Sequence, residues 1–204
     1  MEKTRIAVLV SGGGTNLQAL IDAEKSGIIK NGEIVLVISN KTGAYALERA
    51  EKAGIKTAVI TKKACGSKEL FEDKLIATLK EEKVDIIVLA GFMCILSEKF
   101  VNAFRDRIIN VHPSLIPSFC GEGYYGLKVH EEALKYGVKV TGATVHFVNE
   151  IADGGKIIMQ KAVEILDGDT PEILQKRVME QAEWIILPKA TEMLSKKIKE
   201  EKEI

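Results

Sequence analysis

The first half of the chain alternates between two hydrophobic patterns. Nearly continuous apolar, β-branched runs at residues 5–10, 33–38 and 84–90 are typical of strands buried on both faces, and shorter runs occur at 57–60 and 108–111. Helical periodicity fills the intervals, at residues 16–26, 45–53, 68–82 and 97–104. Strands that alternate with helices predict right-handed β-α-β units and a mostly parallel sheet.

The second half follows a different pattern. A short helix is predicted at 130–136, followed by strands at 140–148 and 155–163. Their connection is too short for a crossover helix, so we expect them to pair antiparallel. A long helix then opens at Thr170, with Pro171 in its first turn. The prediction is a Rossmann-like α/β fold with helices on both faces and an antiparallel C-terminal addition, in a single domain over residues 1–204.

Composition narrows the class of protein. The 29 basic residues balance 29 acidic ones, which disfavours a protein that grips nucleic acid, and the longest apolar stretch, 86–96, is too short for a membrane helix. The N-terminus leads directly into a strand without a signal peptide. Three cysteines without paired spacing indicate reduced thiols. We therefore expect a cytoplasmic protein that binds small molecules, not nucleic acid or membrane, as a monomer or homodimer.

A glycine-rich loop at residues 11–16 separates the first strand from the first helix. Glycines at a helix N-terminus expose backbone amides that suit an anion. The spacing matches neither a dinucleotide fingerprint nor a P-loop, because Leu17 stands where a third glycine would fall and no Gly-Lys-Ser/Thr follows. Gly14, Thr15 and Asn16 are therefore predicted to hold a phosphomonoester. The alternative is a tight turn in which Thr15 or Asn16 only caps the helix.

Asn110 and His112 lie two apart where a parallel strand ends before Pro113. Residues two apart share a face of a strand, so both side chains can meet one substrate atom at the carboxyl edge of the sheet. An amide beside an imidazole suits oxyanion stabilisation with proton transfer, although a lone strand histidine is more often structural. His146 is interpreted as structural rather than catalytic, and His130 as a helix cap or a solvent-facing side chain.

Asp153 follows the first strand of the C-terminal pair and is succeeded by two glycines. A carboxylate held by such a turn can reach His112, raise its pKa and orient it or a water molecule, whereas an isolated Asp-Gly would be a plain turn. The histidines lack metal-ligand spacing, so we expect no metal site.

Together these segments resemble the folate-dependent glycinamide ribonucleotide transformylases. The resemblance runs in order from about residue 5 to residue 188, in the segments 10–18, 39–41, 88–93 with 95–96, 110–115, 141–142 with 146–148, and 153–155. The Asn-x-His-Pro-Ser-Leu segment and the downstream Asp are shared by all folate-dependent formyltransferases of this fold.

The resemblance implies that the amine of 5-phosphoribosyl-glycinamide attacks the formyl carbon of 10-formyltetrahydrofolate, a co-substrate, in purine synthesis. Asn110 and His112 would stabilise the oxyanion, and His112 would act as general acid toward the departing folate nitrogen. Asp153 would raise the pKa of His112 and help relay a proton. Glu183 matches the ribose-binding acid. The folate would contact the loop 148–153 and the residues Lys68, Met93, Cys94, Ile95, Leu96 and Asn110.

This sequence departs from the family pattern at four places. Many members carry Arg where Cys94 stands, and Lys68 replaces an Arg in a folate-contacting loop. The segment 120–129 is longer than usual and is either an active-site flap or a surface loop. One extra residue separates Val178 from Glu183.

Three other functions fit the same residues less well. Methionyl-tRNA formyltransferase and formyltetrahydrofolate hydrolase share the Asn-His-Asp constellation, but each needs a further domain for which 204 residues have no room. A non-catalytic phosphate-binding module would have a broken triad, whereas all three residues are present.

Overall fold

The computed structural model describes residues 2–203, which contain seven strands in one sheet of order β3-β2-β1-β4-β5-β6-β7. The first five strands are parallel, and β6 and β7 are antiparallel to their neighbours. The strands are β1 Thr4–Val10, β2 Gly32–Ser39, β3 Lys56–Val59, β4 Ile86–Leu89, β5 Ile108–His112, β6 Val140–Phe147 and β7 Ile157–Glu164. The predicted parallel sheet with an antiparallel addition is confirmed.

The helices alternate with the strands through β5, as the periodicity predicts. They are α1 Thr15–Lys25, α2 Tyr45–Lys52, α3 Lys62–Cys65, α4 Lys68–Glu81, α5 Glu98–Ala103, α6 Leu127–Tyr136, α7 Pro171–Val178 and α8 Trp184–Lys202, with a π-helical segment, Met179–Glu183, between the last two. Helix α6 begins three residues earlier than predicted, and α3 was not predicted. The long C-terminal helix is therefore continuous in direction but widened at one turn.

Apolar side chains fill both faces of the sheet because alternate strand residues point to opposite sides. In β1, Ile6, Val8 and Val10 join one buried cluster with helices α1, α2, α7 and α8, whereas Ala7 and Leu9 join the other with α4 and α5. This two-sided burial explains the continuous apolar runs. Because the core lies on the two faces of the sheet, the carboxyl ends of the parallel strands lie outside it and are followed by loops.

Strand order reverses between β1 and β4, whose neighbours lie on opposite sides. In open α/β sheets, ligands bind in the crevice outside the carboxyl ends of the strands at such a switch point. The loop after β1, the segment after β4 and the end of β5 all lie at this edge. These are three of the places where the sequence predicts functional residues.

Candidate active site

The three residues predicted to act together do meet at the carboxyl edge. The Nδ1 atom of His112 lies 3.4 Å from Oδ2 of Asp153, and both side chains are largely buried. Asp153 sits in a turn with φ of 54°, in the left-handed region that an aspartate tolerates better than most residues. Asn110, two residues before His112 on β5, is half-buried and faces the same site. The tertiary fold therefore brings together residues separated by more than 40 positions.

His146 joins this group and is the functional candidate that sequence reasoning treated as structural. Strands β5 and β6 pair Asn110 directly with His146. The Nε2 atom of His146 lies 3.2 Å from Nδ2 of Asn110 and 3.5 Å from Oδ1 of Asp153. The signal that could have found it is the antiparallel register, which places the two side chains opposite each other.

The hydrogen bonds of His146 determine which end of the Asn110 amide is available. The Nδ1 atom of His146 lies 2.8 Å from the carbonyl oxygen of Phe147, which can only accept, so Nδ1 carries the ring proton. In the neutral ring Nε2 then accepts one N–H of Asn110. This assignment follows from the hydrogen-bond network. The second N–H of the Asn110 amide remains available to a substrate oxygen.

The charge state of His112 is set by opposing effects. Burial lowers the pKa of His112 below its ordinary value, while the carboxylate of Asp153 and the carbonyl of Phe119 raise it, and His146 lowers it further. Asp153 raises this pKa, as predicted, but burial outweighs it, so the pKa of His112 lies below its ordinary value. The neutral imidazole is favoured in the resting site, and Asp153 limits the cost of protonating it.

Asp153 is held as the anion. Burial by itself raises the pKa of Asp153, but the neighbouring His146 and His112 rings and the backbone N–H of Gly121 together keep that pKa below its ordinary value. The Gly121 N–H donates to Oδ2 of Asp153 at 2.8 Å. A charged carboxylate is therefore maintained beside the imidazole.

The segment after Pro117 forms a wall of the site. The Nε2–H of His112 donates to the Phe119 carbonyl at 2.9 Å, and Gly121 binds Asp153. Phe119 also packs its ring against Tyr136 at a centroid distance of 5.9 Å. The start of the long segment 120–129 thus contacts the catalytic candidates and is not a detached surface loop, while its last three residues form the first turn of α6.

His130 occupies a different environment from the one predicted. It lies inside α6 and is fully buried, so the expectation of a cap or a solvent-facing side chain is wrong. Within residues 2–203, neither ring nitrogen has a hydrogen-bond partner. Burial, with a smaller effect from His112, lowers the pKa of His130 to about 4. The earlier start of α6 explains the error, because it moves His130 from the helix end to the second turn.

The glycine loop presents the backbone at the start of α1. Gly14 adopts φ of 73°, and a Cβ at this position would lie 2.6 Å from the Cβ of Ala46, so the loop packs directly on α2. Among the described residues no side chain caps α1. The capping alternative for Thr15 and Asn16 therefore does not describe this structure, and the first-turn amides are left for another acceptor.

Arg49 supplies a positive charge beside this loop and was missed in the sequence. Its Nε–H donates to the Gly13 carbonyl at 2.8 Å, and its guanidinium lies 4.9 Å from the centre of the Tyr45 ring. The signal available in the sequence was a basic residue one helical turn after Tyr45 on the helix that follows β2. Arg49 therefore places a cation beside the backbone of the predicted phosphate loop.

Glu183 and Asn16 form the other side of the loop. The Asn16 Nδ2–H donates to Oε2 of Glu183 at 2.7 Å, and Glu183 is only 6% exposed. Burial raises the pKa of Glu183, and the hydrogen bond with Asn16 partly opposes that rise. The Thr15 hydroxyl donates to Sδ of Met179 at 3.8 Å. Both ends of the π-helical segment thus contact the predicted phosphate loop.

The π-helical segment accounts for the extra residue in the sequence. A π turn accommodates one more residue than an α turn, and such turns occur frequently at functional sites. Here the segment Met179–Glu183 spans the interval that is one residue longer than the family pattern. Val178 and Ala182 stay buried on the same side. A π turn at this place would absorb the extra residue that the family resemblance suggests, while Val178 and Ala182 keep their places in the core.

The predicted folate residues lie after β4 and at the start of α4. Met93 and Ile95 are 51% and 58% exposed, whereas Leu96 is 6% exposed and joins the core. Burial raises the pKa of the Cys94 thiol, and the charge of Lys68 acts against that rise. The Lys68 ammonium lies 3.9 Å from Oε1 of Glu72. The segment offers an apolar surface with a basic residue at one end.

Within residues 2–203, no group of three or more His, Cys, Asp or Glu side chains is placed to hold a metal ion. Over the same range, none of the helices combines the length and apolar character needed to cross a membrane.

The fold and the site together define an α/β protein with an amide, an imidazole and a carboxylate at the switch point of its sheet, where open α/β sheets bind their ligands. The chain matches the family model described as formyl transferase over residues 4–191, and it belongs to that family.

Relatives and solved structures agree with this assignment. The chain is 47% identical over 195 residues to the trifunctional purine biosynthetic protein adenosine-3 of Drosophila melanogaster, covering 94% of this chain but only 14% of that protein. It is 44% identical over 176 residues to phosphoribosylglycinamide formyltransferase of Escherichia coli (strain K12), covering 86% of this chain and 80% of the relative. The crystal structure of glycinamide ribonucleotide transformylase 1 from Symbiobacterium toebii superimposes with a TM-score of 0.89 at 42% identity, over 96% of this chain and 89% of that one.

Proposed function

We propose that the protein transfers the formyl group of 10-formyltetrahydrofolate to the amine of 5-phosphoribosyl-glycinamide, a step of purine biosynthesis. The observation that carries this proposal is the convergence of His112, Asp153 and Asn110 next to a glycine loop that exposes helix amides. Relatives named for this reaction or for purine biosynthesis support it. The products are N-formylglycinamide ribonucleotide and tetrahydrofolate.

The proposed reaction begins when the acceptor amine attacks the formyl carbon and forms a tetrahedral intermediate with a negative oxygen. The free N–H of the Asn110 amide, fixed by His146, donates to this oxygen. His112 shares in stabilising it once protonated. An amide donor that is already oriented needs no reorganisation as the charge develops, so it stabilises the transition state more than the ground state.

Proton transfer balances within the same step. The attacking amine loses one proton and the leaving folate nitrogen gains one, so no proton is consumed. Burial keeps His112 neutral at rest with its ring proton on Nε2, so the amine proton would reach the free Nδ1 through the Asp153 carboxylate or a water molecule, and Asp153 stabilises the imidazolium that results. His112 then acts as general acid toward the folate nitrogen. Its Nε2–H must leave the Phe119 carbonyl in order to reach a substrate.

The acceptor is proposed to bind on the α1 side of the crevice. The amides of Gly14, Thr15 and Asn16 would hold its phosphate at the N-terminus of an 11-residue helix, with Arg49 supplying charge. Glu183 would accept from the ribose hydroxyls. The phosphate and ribose contacts together place the amine toward His112.

The donor is proposed to lie on the β4 side of the crevice. The pterin and formyl end would contact Met93, Cys94, Ile95 and Leu96 together with Asn110 and the loop 148–153, and Lys68 would face the acidic tail. The exposure of Met93 and Ile95 supports this placement, because large apolar side chains held in solvent suit a flat aromatic ligand. The 10-formyltetrahydrofolate is consumed as a co-substrate, and no metal is included in the proposal.

The proposal is tested by assaying the purified protein with 10-formyltetrahydrofolate and three acceptors: phosphoribosyl-glycinamide, methionyl-tRNA and water. We expect turnover with the first alone, and a fall of about 10²–10⁴-fold in kcat for His112→Ala. Glu131→Gln, an exposed change on α6, is the matched control and should retain full activity. Transfer to methionyl-tRNA, net hydrolysis, or full activity of His112→Ala would contradict the proposal.

We further propose that the protein acts in the cytoplasm as a monomer or homodimer on small molecules alone, without nucleic acid or membrane. The balanced charge of the chain supports this. Light scattering at several protein concentrations measures the oligomeric state, and a stable higher assembly would contradict it.

A further inference from the structure

Two buried polar side chains bind the backbone of the segment 91–96 and its continuation: one binds Met93 within the segment, and the other binds Ser97 directly after it. At the first end, Ser11 lies at the end of β1 and is 5% exposed. Its hydroxyl donates to Oδ1 of Asn40 at 2.7 Å and accepts the backbone N–H of Met93, also at 2.7 Å. A single hydroxyl therefore connects the loops that follow three neighbouring strands of the sheet.

At the second end, the carboxylate of Glu72 on α4 is 2% exposed. It accepts the backbone N–H of Ser97 at 2.9 Å and also the Ser97 hydroxyl. Ser97 in turn caps α5, where its hydroxyl accepts from the N–H of Phe100. The buried carboxylate thus fixes the point at which the irregular segment re-enters regular structure.

Between these two points the segment has little regular backbone pairing, and it begins at Gly91 with φ of 71°. Met93 and Ile95 extend into solvent, whereas Leu96 is packed in the core. Left free, exposed apolar side chains on an irregular loop would collapse onto the surface. The hydrogen bonds to Ser11 and Glu72 oppose this collapse, because they fix the backbone at Met93 and at Ser97.

We propose that Ser11 and Glu72 are positioning residues for the folate donor, because they clamp the segment 91–96 in the conformation that receives it. Ser11 is the first residue of the glycine loop, so the same hydroxyl links the donor segment to the acceptor loop. This inference rests on the proposed function, which assigns the segment to the donor. Neither residue touches the reacting atoms.

The test compares Ser11→Ala and Glu72→Gln with Ser195→Ala. Ser195 is an equally buried serine whose hydroxyl donates to the Thr191 carbonyl within α8, so its loss controls for removal of a buried hydroxyl elsewhere. Ser11→Ala removes the hydrogen bonds to Asn40 and Met93, and we expect the loss of the one to Met93 to raise KM for 10-formyltetrahydrofolate about five- to tenfold, with kcat changed less than about twofold. Glu72→Gln keeps one acceptor oxygen and should raise the same KM about threefold.

Amide hydrogen exchange gives a readout independent of activity. Exchange at Met93 should accelerate in Ser11→Ala, exchange at Ser97 should accelerate in Glu72→Gln, and both should stay at the wild-type rate in Ser195→Ala. An unchanged donor KM, or equal rises in KM for both substrates with a falling kcat, would overturn the proposal. If the wild-type protein transferred no formyl group, the proposed function would fail, and unchanged exchange at Met93 and Ser97 would separately refute the clamp.

Discussion

Replacing Gly14 by alanine should damage the acceptor site through the backbone, without removing any side chain from it. Gly14 is the last glycine of the loop at residues 11–16. It has φ of 73° and packs against α2. An alanine must adopt the left-handed conformation, which costs about 1–2 kcal/mol for a residue with a Cβ. The same substitution also adds a Cβ where Gly14 already packs closely against Ala46.

The steric part follows from two distances. The added Cβ would lie 2.6 Å from the Cβ and 2.8 Å from the Cα of Ala46, whereas carbon atoms pack at about 3.5–4.0 Å. Helices α1 and α2 would have to separate locally by about 1 Å, and overpacking of this kind costs about 1–3 kcal/mol. The two contributions together predict a loss of about 2–5 kcal/mol in the free energy of unfolding, a large part of the about 5–15 kcal/mol typical of a domain.

Urea unfolding measures this loss, and the neighbouring glycine provides the control. In the described part of the chain, no heavy atom lies within 4 Å of a Cβ built on Gly13, so Gly13→Ala should change stability by less than about 0.5 kcal/mol. Adding Ala46→Gly to Gly14→Ala removes the shorter contact and should make the double variant more stable than the sum of the single effects. The KM for phosphoribosyl-glycinamide should rise in Gly14→Ala, because the first-turn amides move. Equal stability of the two alanine variants would refute the reasoning.

Three further predictions concern charge. Asp153→Asn should lower the pKa of His112 further, because the carboxylate raises it; NMR titration of the imidazole checks this, and a higher pKa would contradict the assigned electrostatics. Glu183→Gln should stabilise the protein at neutral pH. The folded-state pKa of Glu183 is raised, so ionisation opposes folding once the pH exceeds the ordinary value of 4.5, and this advantage in urea unfolding should shrink toward zero below that pH. An advantage that grows on acidification would refute it. Arg49→Gln should raise KM for phosphoribosyl-glycinamide with little effect on kcat. Added salt should also raise KM more steeply in the wild type than in Arg49→Gln, because salt screens the charge of Arg49.

Much of the site could be predicted from the sequence where the relevant spacing is local. Asn110 and His112 share a strand face because they are two apart, and the glycine loop lies between a strand and a helix because the periodicity changes there. His146 could not be placed in this way. Its relation to Asn110 depends on the register of two antiparallel strands, and a shift of one residue would have turned it to the other face.

The sequence did not predict the burial of His130 or the contacts of Phe119 and Gly121 with the catalytic candidates, and the two failures have related causes. Helix α6 begins at Leu127, where the sequence offers no capping side chain, so its start is decided by packing and by the connection to β5. The contacts of Phe119 and Gly121 with the catalytic candidates involve backbone atoms, which every residue carries. No pattern of side chains could have indicated them.

The sequence by itself determined the alternation of strands and helices, the buried faces and the presence of the Asn110, His112 and Asp153 side chains, because hydrophobic period and residue chemistry are encoded locally. Only the tertiary structure decided which polar groups meet: His146 with Asn110, Glu183 with Asn16, and Ser11 with Met93. It also decided that burial outweighs the charge of Asp153 in setting the pKa of His112. Hydrogen bonds and desolvation depend on distances between segments far apart in the chain, and those distances exist only once the sheet has formed.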